Sequence, residues 1–109
     1  MKKYCLACDL KNNPKLIAEY ESYHKQVWSV VIKSIRDSGI EKMEIYRTGN
    51  RMFMIIETTD DFSFREKARA EASNEKIQDW EGLMSRYQVP LPHARPGEKW
   101  VPMEKIFEL

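Results

Sequence analysis

The chain is poor in the features that would commit it to several common chemistries. Two cysteines among 109 residues cannot make a disulfide framework. Its four glycines spell no phosphate-cradling loop, and no serine sits in a nucleophile elbow. No cluster of His, Cys, Asp and Glu has metal-ligand spacing. No apolar run approaches the roughly 18 residues that a membrane span needs. Nor is there a block of one charge. Lys plus Arg (18) nearly cancels Asp plus Glu (17), leaving a net charge of +1. Binding a phosphate backbone needs concentrated basic surface, so the balance argues against nucleic acid as the main partner. Met1-Lys2-Lys3 leads into a short mixed segment instead of a signal-peptide core, and the expectation is a soluble cytoplasmic protein with no membrane partner.

What the chain does have is enough apolar material, 42% of its residues, to bury a core in one domain spanning residues 1–109. Tyr4 to Leu10 is strand-compatible. Asn13 suits an N-cap and Pro14 the first helical position. The apolar period then predicts a helix through Leu16, Ile17, Tyr20, Tyr23, Val27, Trp28, Val31 and Ile35, ending near Gly39, with a kink or change of helix near 27 where β-branched residues crowd. Lys42–Thr48 and Arg51–Thr58 read as a hairpin across Gly49-Asn50. Asp60-Asp61 can cap a second helix, Ser73-Asn74 a third carrying Ile77, Trp80, Leu83, Met84 and Tyr87. Prolines 90, 92 and 96 mark a loop, and Trp100 to Glu108 reads as a last strand. The order β-α-β-β-α-α-β is the α+β, ferredoxin-like βαββαβ arrangement with an extra helix before the last strand.

On the second hairpin strand Met52, Met54 and Ile56 share one face, and Phe53 and Ile55 the other. Helices cover only one face of so small a sheet. Apolar residues on both faces imply that something covers the second, most economically an identical subunit in a homodimer.

Tyr20, His24 and Trp28 stand at i, i+4 and i+8, a spacing that puts a phenol, an imidazole and an indole on one helical face. Such a set can move a proton near neutral pH and stack on a flat, weakly apolar ligand. The same spacing also describes a core stripe with one satisfied histidine, and the residues alone leave both readings open. Cys5 and Cys8 form a C-x-x-C inside a strand, where they point to opposite faces, and read as ordinary cysteines. Trp80 reads as core or as a ligand platform, and His93 as an exposed loop residue or a pocket rim. Glu44 and Glu57 are able to accept from ligand hydroxyls or to pair with Arg47 and Arg51.

Glu19-Tyr20-x3-His24-x2-Val27-Trp28, Ile45-Tyr46 with its hairpin, Gln78-x-Trp80-x3-Met84 and Glu104-Lys105-Ile106-Phe107 together resemble the L-rhamnose mutarotase family, in order and over nearly the whole chain. The Pro90-Leu91-Pro92 and Pro96-to-Trp100 tail resembles a branch labelled L-fucose mutarotase. The resemblance implies a cytoplasmic dimeric α+β barrel that interconverts the α and β anomers of a 6-deoxy-L-hexose without a cofactor. It implies His24 as proton donor and Tyr20 and Trp80 as sugar contacts, with Trp28, Tyr46 and Glu81 as further candidates. The chain departs from the family in having Glu81 where a second tryptophan is frequent, Met43 at a sugar-binding tyrosine, and Ser29 where proline follows the motif tryptophan. Two other classes compete: a monooxygenase on a similar dimeric barrel, with or without haem, and a non-catalytic dimer that binds a small ligand.

Overall fold

Asn13 and Asn74 start two of the helices through their side chains. The computed structural model describes residues 1–109. In it Asn13 Oδ1 accepts from the backbone N–H groups of Lys15 and Leu16, at 3.0 and 3.2 Å, and Pro14 opens helix α1 (Pro14–Tyr23). Asn74 does the same for Lys76 and Ile77 at the start of α4 (Glu75–Ser85). Each such cap stabilises its helix by about 1 kcal/mol. Helix α3 (Phe64–Ala72) is capped by Ser63, which accepts from Glu66 N–H. This corrects the expectation of a start at Asp60-Asp61. Asp60 instead pairs with the N-terminal ammonium, and Asp61 accepts from Thr59.

The first helical stretch is not one helix. After Tyr23 the N–H groups of His24, Lys25 and Gln26 each reach back three residues, tightening the end of α1. Trp28 is then extended (φ −55°, ψ 137°), and α2 (Ser29–Asp37) begins anew. The predicted break near 27 is thus a complete change of helix. Gly39 follows the Ser38 C-cap with φ +101°, a left-handed conformation that turns the chain into the sheet.

Five antiparallel strands form one sheet: β1 (Lys2–Leu10), β2 (Ile40–Thr48), β3 (Arg51–Thr58), β4 (Gln88–Val89) and β5 (Val101–Pro102). The order is β2-β3-β1-β4, with β5 also on β1. The β2–β3 hairpin pairs Thr48 with Arg51, and Gly49 at φ +56° occupies its first central position, as the Gly-Asn signal predicts. The last strand is shorter than predicted. Only Val101 and Pro102 form the strand, Met103 adds one backbone bond to the Cys5 carbonyl, residues 104–109 run on beyond it, and Gln88–Val89 forms a strand where the sequence predicts helix or loop. Prolines at 90, 92, 96 and 102 withhold backbone donors and keep this half of the chain from pairing at length.

Alternation along the strands sorts their residues onto two faces. Leu6, Cys8, Leu10, Met52, Ile56 and Thr58 are buried beneath the helices. Tyr20, Val31, Ile77, Trp80 and Met84 close on them from above, a large apolar side chain contributing about 1.5–3 kcal/mol when fully buried. A second cluster of Leu6, Ile40, Ile56 and Phe62 lies beyond, and Ile35 and Trp100 pack against both. On the opposite face Cys5, Phe53 and Ile55 are half-buried around Ala7, with Tyr46 exposed beside Phe53, and no helix covers them. The two-faced apolar pattern is therefore present in the fold.

Candidate functional site

Between the two clusters, the helices and the inner face of the sheet enclose a cavity of about 310 Å³. Its wall is mostly apolar, with a few polar groups: Tyr20, His24, Ser34, Glu81, Gln88, and a Lys67–Glu71 pair 2.5 Å apart at the α3 side. Apolar walls with a few convergent polar groups are the usual make-up of a small-ligand site. A wider groove of about 450 Å³ between α2 and α3 holds no aromatic side chain and is lined largely by charged and small polar residues. It offers little to a catalytic group.

His24 stands at the C-cap of α1, half-buried. Its Nδ1 lies 2.9 Å from the carbonyl oxygen of Tyr20. A carbonyl only accepts, so Nδ1 must carry the hydrogen. In the neutral ring Nε2 is then a free lone pair, and in the imidazolium it is a donor. The Tyr20 ring packs against the imidazole at 4.5 Å between centroids, and Trp80 meets it edge-on at 5.8 Å. These contacts fix the ring in position as well as in tautomer.

Tyr20 is buried (4% exposed), and burial is the main reason its hydroxyl is pushed up to about 12. It stays protonated across the neutral range and acts as a hydrogen-bond donor, not a base. Gln88 Nε2 donates to the Tyr20 oxygen at 3.1 Å, which leaves the hydroxyl hydrogen available to a ligand. Trp80, from α4, presents its indole to the same space. Glu81 follows it on the wall. Lys99 holds Glu81 from the far side, 3.6 Å from the carboxylate and 3.3 Å from its backbone carbonyl, and also reaches Ser85 Oγ. The proline-rich loop is thereby tied to α4 beside the cavity.

Four of the expected site residues, Tyr20, His24, Trp80 and Glu81, meet at the cavity. They do so by a different route from a single helical stripe. Only Tyr20 is inside the helix, His24 caps it, and Trp28 begins the next. Trp28 does not line the cavity; it packs edge-on behind Trp80 at 5.1 Å and buttresses it. Tyr46 lies apart from the others. Met43 and Ile45 of β2 face the cavity, so alternation sends Tyr46 to the uncovered face, where its hydroxyl donates to Glu44 at 3.0 Å. Arg47 and Arg51 pair with Glu21 and Asp9, not with Glu44 or Glu57. His93 is exposed on the loop away from the cavity, and Cys5 and Cys8 are free thiols, Cys8 fully buried.

Sequence reasoning missed Gln88 and Trp100, which both line the cavity. Gln88 was hidden at the end of a helical pattern. The pattern predicts a strand beginning at Trp100, and only the return of the loop against Leu6 and Ala7 brings it under the helices. Met43 stands on the cavity wall and offers it a thioether without a hydroxyl.

Comparison with known proteins shows the family and the fold. The L-rhamnose mutarotase family pattern matches residues 3–109. An L-fucose mutarotase of Xanthomonas campestris pv. campestris is 40% identical, with all of this chain and 89% of that protein aligned. A UPF0734 protein of Dictyostelium discoideum is 35% identical over 99% of this chain and 90% of its own length. Among solved structures, the fold is similar to an L-rhamnose mutarotase of Formosa agariphila (TM-score 0.73, 19% identity, 100% of this chain and 99% of that one). It is also similar to tetracenomycin F2 cyclase of Streptomyces glaucescens (TM-score 0.61, 15% identity, 100% and 97%). At those identities the two structures speak for the α+β fold alone; the sequence matches carry the assignment. The chain belongs to the L-rhamnose mutarotase family.

Proposed function

We propose that this protein is an isomerase that interconverts the α and β anomers of a 6-deoxy-L-hexose, L-rhamnose or L-fucose, with His24 as the acid–base group. The observation that carries the reading is the imidazole at the wall of a sugar-sized cavity, its Nδ1 committed to the Tyr20 carbonyl and its Nε2 uncommitted. Family membership supplies the substrate class.

Ring opening needs a proton at the ring oxygen and the loss of one from the anomeric hydroxyl. As the imidazolium, His24 delivers its Nε2 proton to the ring oxygen while the bond from that oxygen to C1 breaks. The anomeric O–H electrons become the second C–O bond of the aldehyde, and their proton leaves to a nearby acceptor. We assign that role to Glu81, which follows Trp80 on the cavity wall. Rotation about C1–C2 followed by the reverse transfers closes the other anomer. Nothing is oxidised or reduced, and the proton count is unchanged. A positioned acid–base group typically contributes about 10² to 10⁴ in rate. The Trp80 indole offers a flat apolar surface for the C–H face of the sugar.

The uncovered sheet face supports a homodimer as the working form. Cys5, Ala7, Phe53 and Ile55 make a continuous apolar strip, flanked by Lys3 and Glu57 at one end and the Asp9–Arg51 pair at the other. An apolar centre within a charged rim is the make-up of a protein interface.

Saturation-transfer NMR on L-rhamnose and L-fucose tests the reaction directly. The wild type should accelerate exchange between the anomers, and folded His24→Ala should lose most of that acceleration. Exchange at near the wild-type rate in the variant would remove His24 from the mechanism.

A further inference from the structure

The cavity wall holds one buried polar atom that nothing in the protein satisfies. Gln88 Oε1 is inaccessible and has no hydrogen-bond partner. Its amide nitrogen is engaged with the Tyr20 oxygen, and its backbone is fixed by the β4 pairing opposite Leu10. Buried side-chain acceptors are nearly always paired in a native protein, because one left alone has lost its water and gained nothing. An exception calls for a specific reason, and at a cavity wall a bound ligand is one. Rotating the amide by half a turn would let Tyr20 donate to Oε1 and would orphan Nε2 instead, so one end of this amide lacks a partner in either orientation.

Resting on the proposed reaction, we infer that Gln88 is a substrate-binding residue whose side-chain amide pairs with one secondary hydroxyl of the sugar, and that it thereby sets which hydroxyl configuration the cavity accepts. The geometry separates this contact from the reacting centre. His24 packs against the ring of Tyr20, whereas Gln88 holds its hydroxyl end. With the ring oxygen attended by His24, the group left to face Gln88 is a hydroxyl on the far part of the sugar ring. The Tyr20 hydroxyl hydrogen, released by the Gln88 contact, adds a donor beside that acceptor. A site built to pair with a hydroxyl discriminates strongly against a sugar that lacks it, because the amide is then buried unpaired.

Two readouts separate this inference from the reaction itself. Dissociation constants for the parent 6-deoxy-L-hexose and for its 2-, 3- and 4-deoxy derivatives are measured by NMR titration with the wild type and with Gln88→Met, which keeps length and volume but removes both amide functions. Anomer exchange is measured in parallel. In the wild type one derivative should bind roughly five- to twentyfold more weakly than the parent, the size of one lost buried hydrogen bond. In Gln88→Met that difference should vanish while the other two derivatives keep theirs. Gln88→Leu, which also lacks both amide functions, should give the same loss and serves as the second variant if Gln88→Met unfolds. A purely structural role would weaken every sugar by one common factor. The same deoxy pattern in wild type and variants therefore overturns the inference, whatever the exchange rates. A wild type that binds with the expected pattern but does not accelerate exchange would overturn the isomerase reading and leave Gln88 in place.

Discussion

The Nδ1 nitrogen of His24 is held 2.9 Å from the carbonyl oxygen of Tyr20, one helical turn earlier. That contact makes the backbone of α1 the selector of the tautomer. Nitrogen-15 NMR of the neutral enzyme should show a pyrrole-like Nδ1 and a pyridine-like Nε2 for this residue. The opposite pattern would leave no lone pair for the substrate in the neutral ring, and the acid–base assignment would fail with it.

Tyr20→Phe keeps the aromatic packing against His24 and deletes the hydroxyl. It also leaves Gln88 Nε2 without its acceptor. The variant should lose about 1–3 kcal/mol of stability, the cost of orphaning a buried donor. It should slow anomer exchange less than His24→Ala does. Urea unfolding and exchange NMR on the same samples check both halves, and a variant as slow as His24→Ala would mean that the phenol itself moves a proton.

The same tyrosine gives the protein an alkaline weakness. Its hydroxyl ionises at about 12 when folded, against an ordinary value near 10 when unfolded. At pH below 10 both states keep the proton and nothing is lost. Between 10 and 12 the unfolded chain releases it and the folded one does not, so stability falls as pH rises through that window, by roughly 2–3 kcal/mol for a shift of this size. Tyr20→Phe should flatten the decline in a urea-midpoint series from pH 9 to 12. An unchanged slope would show that other groups cause it.

Cys8 is the other group that burial perturbs. Its thiol is pushed up to about 11, chiefly by desolvation and secondarily by Asp9. At pH 8 it is almost entirely the unreactive thiol, and it is shut beneath the helices. Cys5, half-buried on the opposite face and covered only when the proposed partner subunit is bound, should react with a maleimide ahead of Cys8, which reacts only at the rate of global opening. Mass spectrometry of partly labelled protein distinguishes the two; labelling of Cys8 ahead of Cys5 would contradict the burial.

Much of this architecture was legible locally. Asn13-Pro14, Asn74, Gly39 and Gly49-Asn50 each act through their own backbone neighbourhood, and each does what its chemistry dictates. The grouping of Tyr20, His24, Trp80 and Glu81 comes from the family resemblance, because spacing alone leaves the helical stripe and Trp80 open between core and site. What was hidden depends on long-range closure. The break after Tyr23 turns a supposed single-face stripe into a corner at the cavity, with Trp28 packed behind Trp80. Gln88 and Trp100 reach the cavity only through short pairings with β1, of two residues each, that no periodicity announces. Ser63 took the cap expected of Asp60-Asp61, and nothing in composition distinguishes among three neighbouring cap-forming residues.

The outer face of the sheet yields the last test. Ile55 sits between Cys5 and Glu44 in the ladder, half-buried on a face with no helix over it. If that face is closed by a second copy, Ile55→Lys places a charge at the centre of the interface, and an unpaired charge there is far costlier than at the rim. Sedimentation should show a dimer for the wild type and a monomer for the variant. The monomer should keep its helical circular dichroism, because Ile55 contributes nothing to the clusters beneath the helices. A wild type that sediments as a monomer at tens of micromolar would end the dimer proposal. It would also leave an exposed strip of Phe53 and Ile55 requiring another partner.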